Sequence, residues 1–331
     1  MKLAIVVPCY NEQEVLRETA SRLQALVTRL QGSGHVDRTS LIWFVDDGSK
    51  DATWALIQEL SQQHPSIAGI RLSRNRGHQN ALLAGLFTAE GDALVSIDAD
   101  LQDDVNVIEQ MVEEYRRGAD IVYGVRARRE SDSWFKRTSA QSFYQLLAIL
   151  GVESVFNHAD YRLMSRRAIE SLRSFGEKNL YLRGIVPLLG YKTAIVTYVR
   201  SERFAGESKY PVRKMLALAI DAVTSFSVTP LRFVAFIGFL VFASTIGVMA
   251  WVVWIRFVTA RAIPGWASTV LPMYFLGGIQ ILCLAVMGEY LGKIYSEVKA
   301  RPRYIIDTVV RRDAVEAVGG GYGERDRILP R

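Results

Sequence analysis

Two stretches without a charged residue, 233–255 and 262–288, constrain this chain more than any other feature; they run for 23 and 27 residues. A helix of roughly 20 apolar residues crosses the hydrocarbon core of a bilayer, so each stretch is long enough to span it. The mean hydropathy of +0.11 therefore averages two populations, and the apolar half of the composition excludes a disordered or low-complexity chain. The formal charge of +6 is unevenly placed. Lys293, Lys299, Arg301, Arg303, Arg311 and Arg312 follow the second stretch, whereas the segment between the stretches carries only Arg256 and Arg261. Basic residues concentrate on the cytoplasmic side of membrane proteins, so both termini are expected in the cytoplasm. The excess is too small to point to a nucleic-acid partner. The opening residues have no signal-peptide cleavage site, so no leader is expected. Cys9 and Cys283 cannot build a disulfide framework and read as packing residues.

Upstream of the apolar stretches, short apolar runs alternate with helical periodicity. Strands are expected at 3–7, 41–45, 67–72, 93–97, 121–125 and 192–199. Helices are expected from Asn11, which reads as a cap before Glu12 and Glu14, and at 52–62, capped by Ser49; others follow at 79–89, 107–117 and 138–150. Strands alternating with helices predict an α/β fold with a mostly parallel sheet covered on both faces. Residues 215–227 read as an amphipathic segment on the membrane surface, and the tail from Val318 as disordered. The expected organisation is 1–165, a catalytic α/β domain; 166–228, a last strand, a loop and interfacial helices; 229–293, two membrane helices; and 294–331, a cytoplasmic tail.

The acidic clusters sit just after strands, where open α/β sheets bind ligands. Asp98-Ala99-Asp100 sets two carboxylates one residue apart at a strand end. Such a pair either holds a hard cation such as Mg²⁺ or Mn²⁺ together with substrate phosphates, or forms a solvated acidic turn. Asp46-Asp47-Gly48-Ser49 has the same two readings, as a nucleotide contact or a turn. No GxGxxG, GxxxxGK[ST] or HExxH motif is present, which removes the common dinucleotide, P-loop and zincin chemistries.

Val7-Pro8-Cys9-Tyr10-Asn11-Glu12, Asp46-Asp47-Gly48-Ser49 and Asp98-Ala99-Asp100-Leu101-Gln102-Asp103, in this order, resemble glycosyltransferase family 2 with its nucleotide-sugar-binding GT-A fold. With the apolar stretches included, the chain resembles the polyprenyl-phosphate glycosyltransferases of that family, the bactoprenol glucosyltransferase and dolichol-phosphate mannose synthase type. The resemblance implies a Rossmann-like GT-A domain followed by two C-terminal transmembrane helices, in a multi-pass protein of the bacterial inner membrane. It implies that Pro8, Tyr10, Glu12 and Asp47 surround the base and ribose. It likewise implies that Asp98, Asp100 and Gln102 organise the metal, Mg²⁺ or Mn²⁺, and the diphosphate. Asp104-Val105 stands where the family commonly has a proline after the third acidic position.

By the same resemblance Arg126 and Arg137 contact the acceptor's lipid phosphate, while Arg128 and Arg129 attract anionic lipid. Trp134 and Phe135 lie in the same basic run, which suits a membrane interface. Asp160 falls at a candidate catalytic base, with Asp100 the other catalytic carboxylate. Pairing of Asp160 with Arg162, Arg166 or Arg167 is the alternative, and a phosphate monoester with a second pKa near 6 needs little help losing a proton. The loop 202–210 resembles one that closes over the donor, with Gly206 as hinge and Arg203 and Lys209 reaching the diphosphate. His78 and His158 read as structural polar residues.

The expected activity is transfer of one sugar, glucose first, from a UDP-sugar to undecaprenyl or another polyprenyl phosphate, with inversion. Expected partners are the nucleotide sugar, the polyprenyl phosphate, membrane lipid and further copies of the chain in a tetramer. Two rival readings are a processive polysaccharide synthase, which would carry a Gln-x-x-Arg-Trp motif absent here, and a non-catalytic binding or flippase-like protein.

Overall fold

Residues Leu3–Cys9 form a strand, β1, whose seven side chains are all buried, as expected of a strand covered on both faces. A computed structural model of the chain describes residues 1–126, 158–177, 182–199, 229–254, 266–299, 301–312 and 314–317. After β1 come α1 (Leu16–Gly32), β2 (Leu41–Asp46), α2 (Thr53–Gln63), β3 (Ile67–Leu72), α3 (His78–Thr88), β4 (Ala93–Ser96), α4 (Val107–Arg116) and β5 (Ile121–Arg126). Then follow β6 (His158–Ser165), α5 (Arg166–Arg173), α6 (Leu182–Leu188), β7 (Thr193–Tyr198), the long helices α7 (Thr229–Trp254) and α8 (Trp266–Val298), and the strands β8 (Ile306–Arg311) and β9 (Ala314–Ala317).

The strands make one sheet in the order β7-β5-β6-β4-β1-β2-β3-β8-β9. β6 and β8 run against the rest, so the sheet is mostly parallel, as the alternation predicts. Alternate residues of a strand face opposite sides, and the packing follows that period. Ile5, Val7 and Phe44 join Leu16, Leu23, Ile57, Ile108 and Met111 of α1, α2 and α4 in the main core. Val6 and Val45 face the other way, onto α3, where a Cβ at Gly85 would stand 2.3 Å from Val6 Cγ1 and 2.8 Å from Val45 Cγ2. Glycine is what lets α3 lie this close to the sheet.

Two local expectations are corrected. Asn11 does not cap α1, which starts at Leu16 without a side-chain cap. Asn11 instead takes a left-handed φ of 56°, and its Oδ1 accepts from Lys50 N at 2.9 Å. Ser49 does not cap α2; its Oγ accepts from Asn11 N at 2.9 Å, joining the loops after β1 and β2. The segment around Asp160, to which the sequence pattern assigns no element, is the strand β6, which inserts antiparallel between β4 and β5.

The described residues fall into two compact units. One contains the whole sheet with α1 to α6, including β8, which pairs antiparallel with β3 at the sheet edge; the chain after the long helices therefore returns to the sheet. The other contains α7 and α8, which lie against each other. Among the described residues, Phe275–Tyr295 of α8 is long and apolar enough to cross a membrane, with a hydropathy of 1.5 over its window. The segments 138–150 and 215–227 lie outside the described residues.

Candidate active site

The site begins with a proline that ends a ladder. β1 pairs with β4 only as far as Val6↔Ser96, and Ile97 N donates to Val6 O at 3.1 Å. The next rung of a parallel ladder would need the N–H of residue 8, and Pro8 has none. β1 continues beside β2 alone, with Pro8↔Val45 and Cys9↔Asp46, and β4 is free to diverge. The crevice so opened lies at the switch point of the sheet, where the chain passes from β3 across β1 to β4. Tyr10, which follows β1, is 41% exposed, while the Cys9 thiol is buried and its pKa pushed up by that burial, consistent with packing alone.

Asp98 and Asp100 follow β4 directly. Leu101 adopts a left-handed φ of 57°, a cost carried by a non-glycine residue, and the turn lets Gln102 N donate to Asp100 Oδ1 at 3.2 Å. Gln102 and Asp103 are buried beneath this turn. Tyr198 of β7 donates its hydroxyl hydrogen to Asp103 Oδ1 at 2.6 Å, and Arg126, at the end of β5, brings Nη2 to 3.6 Å from the same oxygen. Arg126 thus reaches the acidic turn, an association that the sequence does not reveal.

Asp47 is almost wholly buried, and both its oxygens are engaged by backbone: Arg76 N donates to Oδ1 at 2.6 Å and Gly77 N to Oδ2 at 2.8 Å. Burial pushes its pKa up against these bonds. It therefore anchors the loop that starts α3. Gly48, at a φ of +67°, lets the same loops touch, since a Cβ there would meet the Arg74 backbone at 2.7 Å. Glu12 is fastened by its own N–H to Thr53 Oγ1 at 2.9 Å.

The register of β4 with β6 ends at Ser96↔Arg162, so two residues further on Asp98 and Asp160 stand level at the same end of the sheet. His78, the first residue of α3, lies between them, with Nε2 3.4 Å from Asp98 Oδ1 and 3.9 Å from Asp160 Oδ2. Behind Asp160 are two guanidinium groups. Arg162 donates through Nη2 to Oδ1 at 2.6 Å, and Arg183 of α6 through Nη2 to Oδ2 at 3.2 Å and Nε to Oδ1 at 3.4 Å. Burial raises the Asp160 pKa, but Arg162 and Arg183 outweigh it and hold the carboxyl at about 2. Of the expected partners of Asp160, Arg162 is correct; Arg166 binds the carbonyls of Gly91 and Ala89, and Arg167 binds Asp120. His78 and Arg183 were not legible as site residues, because each is placed by a loop or short helix distant in sequence from Asp160. Arg137, Arg203, Gly206 and Lys209 lie outside the described residues, as do Arg128 and Arg129.

The end of β4 is short of positive charge. Burial, then the carboxylates of Asp160, Asp103 and Asp100, raise the pKa of Asp98 against the pull of His78. That surplus suits a divalent cation. No group of three acidic, His or Cys side chains among the described residues encloses a metal by itself. One or two carboxylates completed by phosphate oxygens are the usual arrangement for Mg²⁺, and Asp98 and Asp100 are the residues here that could hold such an ion.

The sequence model of glycosyl transferase family 2 matches residues 4–173, from β1 through α5. Over 309 residues the chain is 48% identical to an uncharacterised glycosyltransferase of Bacillus subtilis, YkoT, covering 92% of this chain and 91% of the relative. It is 39% identical to the prophage bactoprenol glucosyl transferase homolog of Escherichia coli over 313 residues, 93% of this chain and 99% of the relative. The same identity is found with the bactoprenol glucosyl transferase of Shigella phage SfV over 310 residues, 92% and 98% of the two chains.

Proposed function

The chain belongs to glycosyl transferase family 2, and from that premise we propose that it moves one sugar, glucose first among the candidates, from a UDP-sugar to undecaprenyl or another polyprenyl phosphate at the cytoplasmic face of a membrane. The observation that carries this reading is the pairing of opposite electrostatics across His78. On one side Asp98 and Asp100 call for a cation and a diphosphate; on the other Asp160 is flanked by Arg162 and Arg183, an environment for an anionic acceptor. The likeness to proteins named bactoprenol glucosyl transferases over nearly their whole length supports the lipid acceptor.

The chemistry follows from the acceptor. A phosphate monoester is largely dianionic at neutral pH, so its oxygen is a nucleophile without a general base. Asp160, ionised down to a pH of about 2, is correspondingly a weak base and a strong orienting group. The phosphate oxygen attacks the anomeric carbon as the bond from that carbon to the diphosphate oxygen breaks, so the electron pair leaves on UDP and the centre inverts. Asp98 and Asp100, with Gln102, would hold Mg²⁺ or Mn²⁺, which supplies neutralisation of the charge on the departing diphosphate. Tyr10 and Pro8 line the crevice for the base, with Asp47 and Glu12 fixed beside them, and Arg126 faces the acceptor side.

Both α7 and α8 are read as membrane spans. Phe236, Phe239 and Trp251 of α7 and Phe275, Ile281 and Leu284 of α8 are all more than half exposed, an apolar surface that a lipid environment would cover. Holding the enzyme on the bilayer confines it to the surface where a lipid acceptor lies, which contributes by proximity. The test is incubation of the membrane-bound protein with a panel of nucleotide sugars, polyprenyl phosphate and Mg²⁺ or Mn²⁺. One extractable glycolipid bearing a single sugar, abolished by chelation, is expected; a long polymer, or no product with any donor, contradicts the reading.

A further inference from the structure

The turn after β4 holds a conformation that its sequence does not favour. Leu101 takes a left-handed φ of 57° without being a glycine, and such backbone persists only where the surroundings over-determine it. α1 supplies part of that hold, since Thr19 donates its hydroxyl hydrogen to Ala99 O at 2.8 Å. Further along α1 the packing gives way to a cleft of about 240 Å³, with Arg22, Leu26 and Arg29 of the helix among its lining residues beside Leu101, Asp103 and Asn106. Apolar packing from α1 therefore does not pin the second half of the turn.

Two tyrosines of the sheet do. Tyr161, in the middle of β6, donates its hydroxyl hydrogen to Asp104 O at 2.9 Å, and Tyr198, the last residue of β7, donates to Asp103 Oδ1 at 2.6 Å. Both side chains are buried, and their rings meet edge to face with centroids 5.4 Å apart and planes at 82°. Aromatic pairs favour that arrangement, so each ring fixes the other and with it the other's hydroxyl. Burial, then Asp103, push the Tyr198 pKa up, and the hydroxyl keeps its proton as a donor. Arg126 Nη2, 3.6 Å from the same Asp103 oxygen, balances the buried carboxylate. Asp103 and Asp104 follow Gln102 directly, so the place at which they are pinned sets the path of the turn that carries Asp98 and Asp100.

We propose that Tyr198 and Tyr161 are positioning residues of the donor site, a buried aromatic clamp that keeps the strained turn at Leu101 in the conformation where Asp98 and Asp100 can share one divalent cation. The inference rests on the reading of those two carboxylates as cation-holding.

The experiment uses the full-length protein and measures the Kd of UDP by calorimetry, once in a chelator and once in Mn²⁺, for wild type, Tyr198→Phe and Tyr161→Phe. Each substitution removes a hydroxyl and keeps the ring. Mn²⁺ tightens UDP binding in wild type. Loss of one hydrogen bond to the turn reduces that tightening about tenfold in Tyr198→Phe, where the acceptor is a carboxylate, and about threefold in Tyr161→Phe, while the metal-free Kd stays at the wild-type value in both. If one variant fails to fold, the other carries the same test. Wild-type tightening in a folded variant overturns the inference, and so does a loss of UDP affinity that is equal with and without Mn²⁺, which would make the tyrosines supports of the fold alone. A wild-type protein whose UDP binding is indifferent to Mn²⁺ and Mg²⁺ overturns the cation-holding reading and this inference with it.

Discussion

The imidazole Nε2 of His78 lies 3.4 Å from Asp98 Oδ1, although His78 opens a helix that follows β3 and Asp98 follows β4. The same nitrogen is 3.9 Å from Asp160, so one side chain spaces the two carboxylates. Replacing His78 by Ala removes that spacer and its 3.4 Å contact with a carboxylate, and a fall in turnover of about tenfold is expected. His78→Gln, which retains a donor, recovers part of it. Steady-state kinetics at saturating substrates check this; wild-type turnover in His78→Ala contradicts it.

Asp160→Asn is expected to lower turnover about tenfold or more while UDP still binds. It also leaves the buried Arg162 without its counter-charge, a loss of about 3 kcal/mol. The sign with pH is fixed by the pKa of about 2, below the ordinary carboxylate value. The ionised Asp160 contributes stability above that ordinary value, about 3.9, and the contribution is lost as pH falls toward the folded value. Urea midpoints of wild type and variant therefore differ most at neutral pH and converge in strong acid. A difference that grows on acidification contradicts the assignment.

Asp47→Asn tests the loop anchor. Its carboxylate accepts from both Arg76 N and Gly77 N, and an amide can accept from only one side. A stability loss of about 2 kcal/mol is expected, together with reduced turnover, since the loop carries His78. Denaturant unfolding measures the first, and an unchanged midpoint would rule out the anchoring role.

Gly85→Ala tests how tightly α3 rests on the sheet. The added methyl would meet Val6 and Val45 well inside contact distance, and overpacking of this kind costs about 1 to 3 kcal/mol. A variant as stable as wild type would show that α3 can withdraw from the sheet without penalty.

The parallel half of the sheet was legible because β1 to β4 are fully or nearly fully buried apolar runs, each followed by a helix of regular period. β6 was not, because its outward and inward residues mix charge with apolar groups: Arg162 is buried in mid-strand, balanced by Asp160 two residues away. β8 was hidden for a different reason, since its partner β3 precedes it by more than two hundred residues and no local pattern signals such a pairing. The acidic pair was legible from adjacent residues. Its link to Asp160 through His78, and the second guanidinium of Arg183, depend on the antiparallel insertion of β6 and on α6, which only the fold supplies.

Direct displacement at the anomeric carbon by a lipid phosphate oxygen, as proposed, would leave its record in the product itself. Nuclear magnetic resonance of the purified glycolipid, reading the coupling of the anomeric carbon to phosphorus and the anomeric configuration together, is the most direct measurement. A single sugar joined through its anomeric oxygen to phosphorus, with configuration opposite to that of the donor, is the predicted result; a retained configuration, or a sugar attached without that phosphorus coupling, contradicts the account.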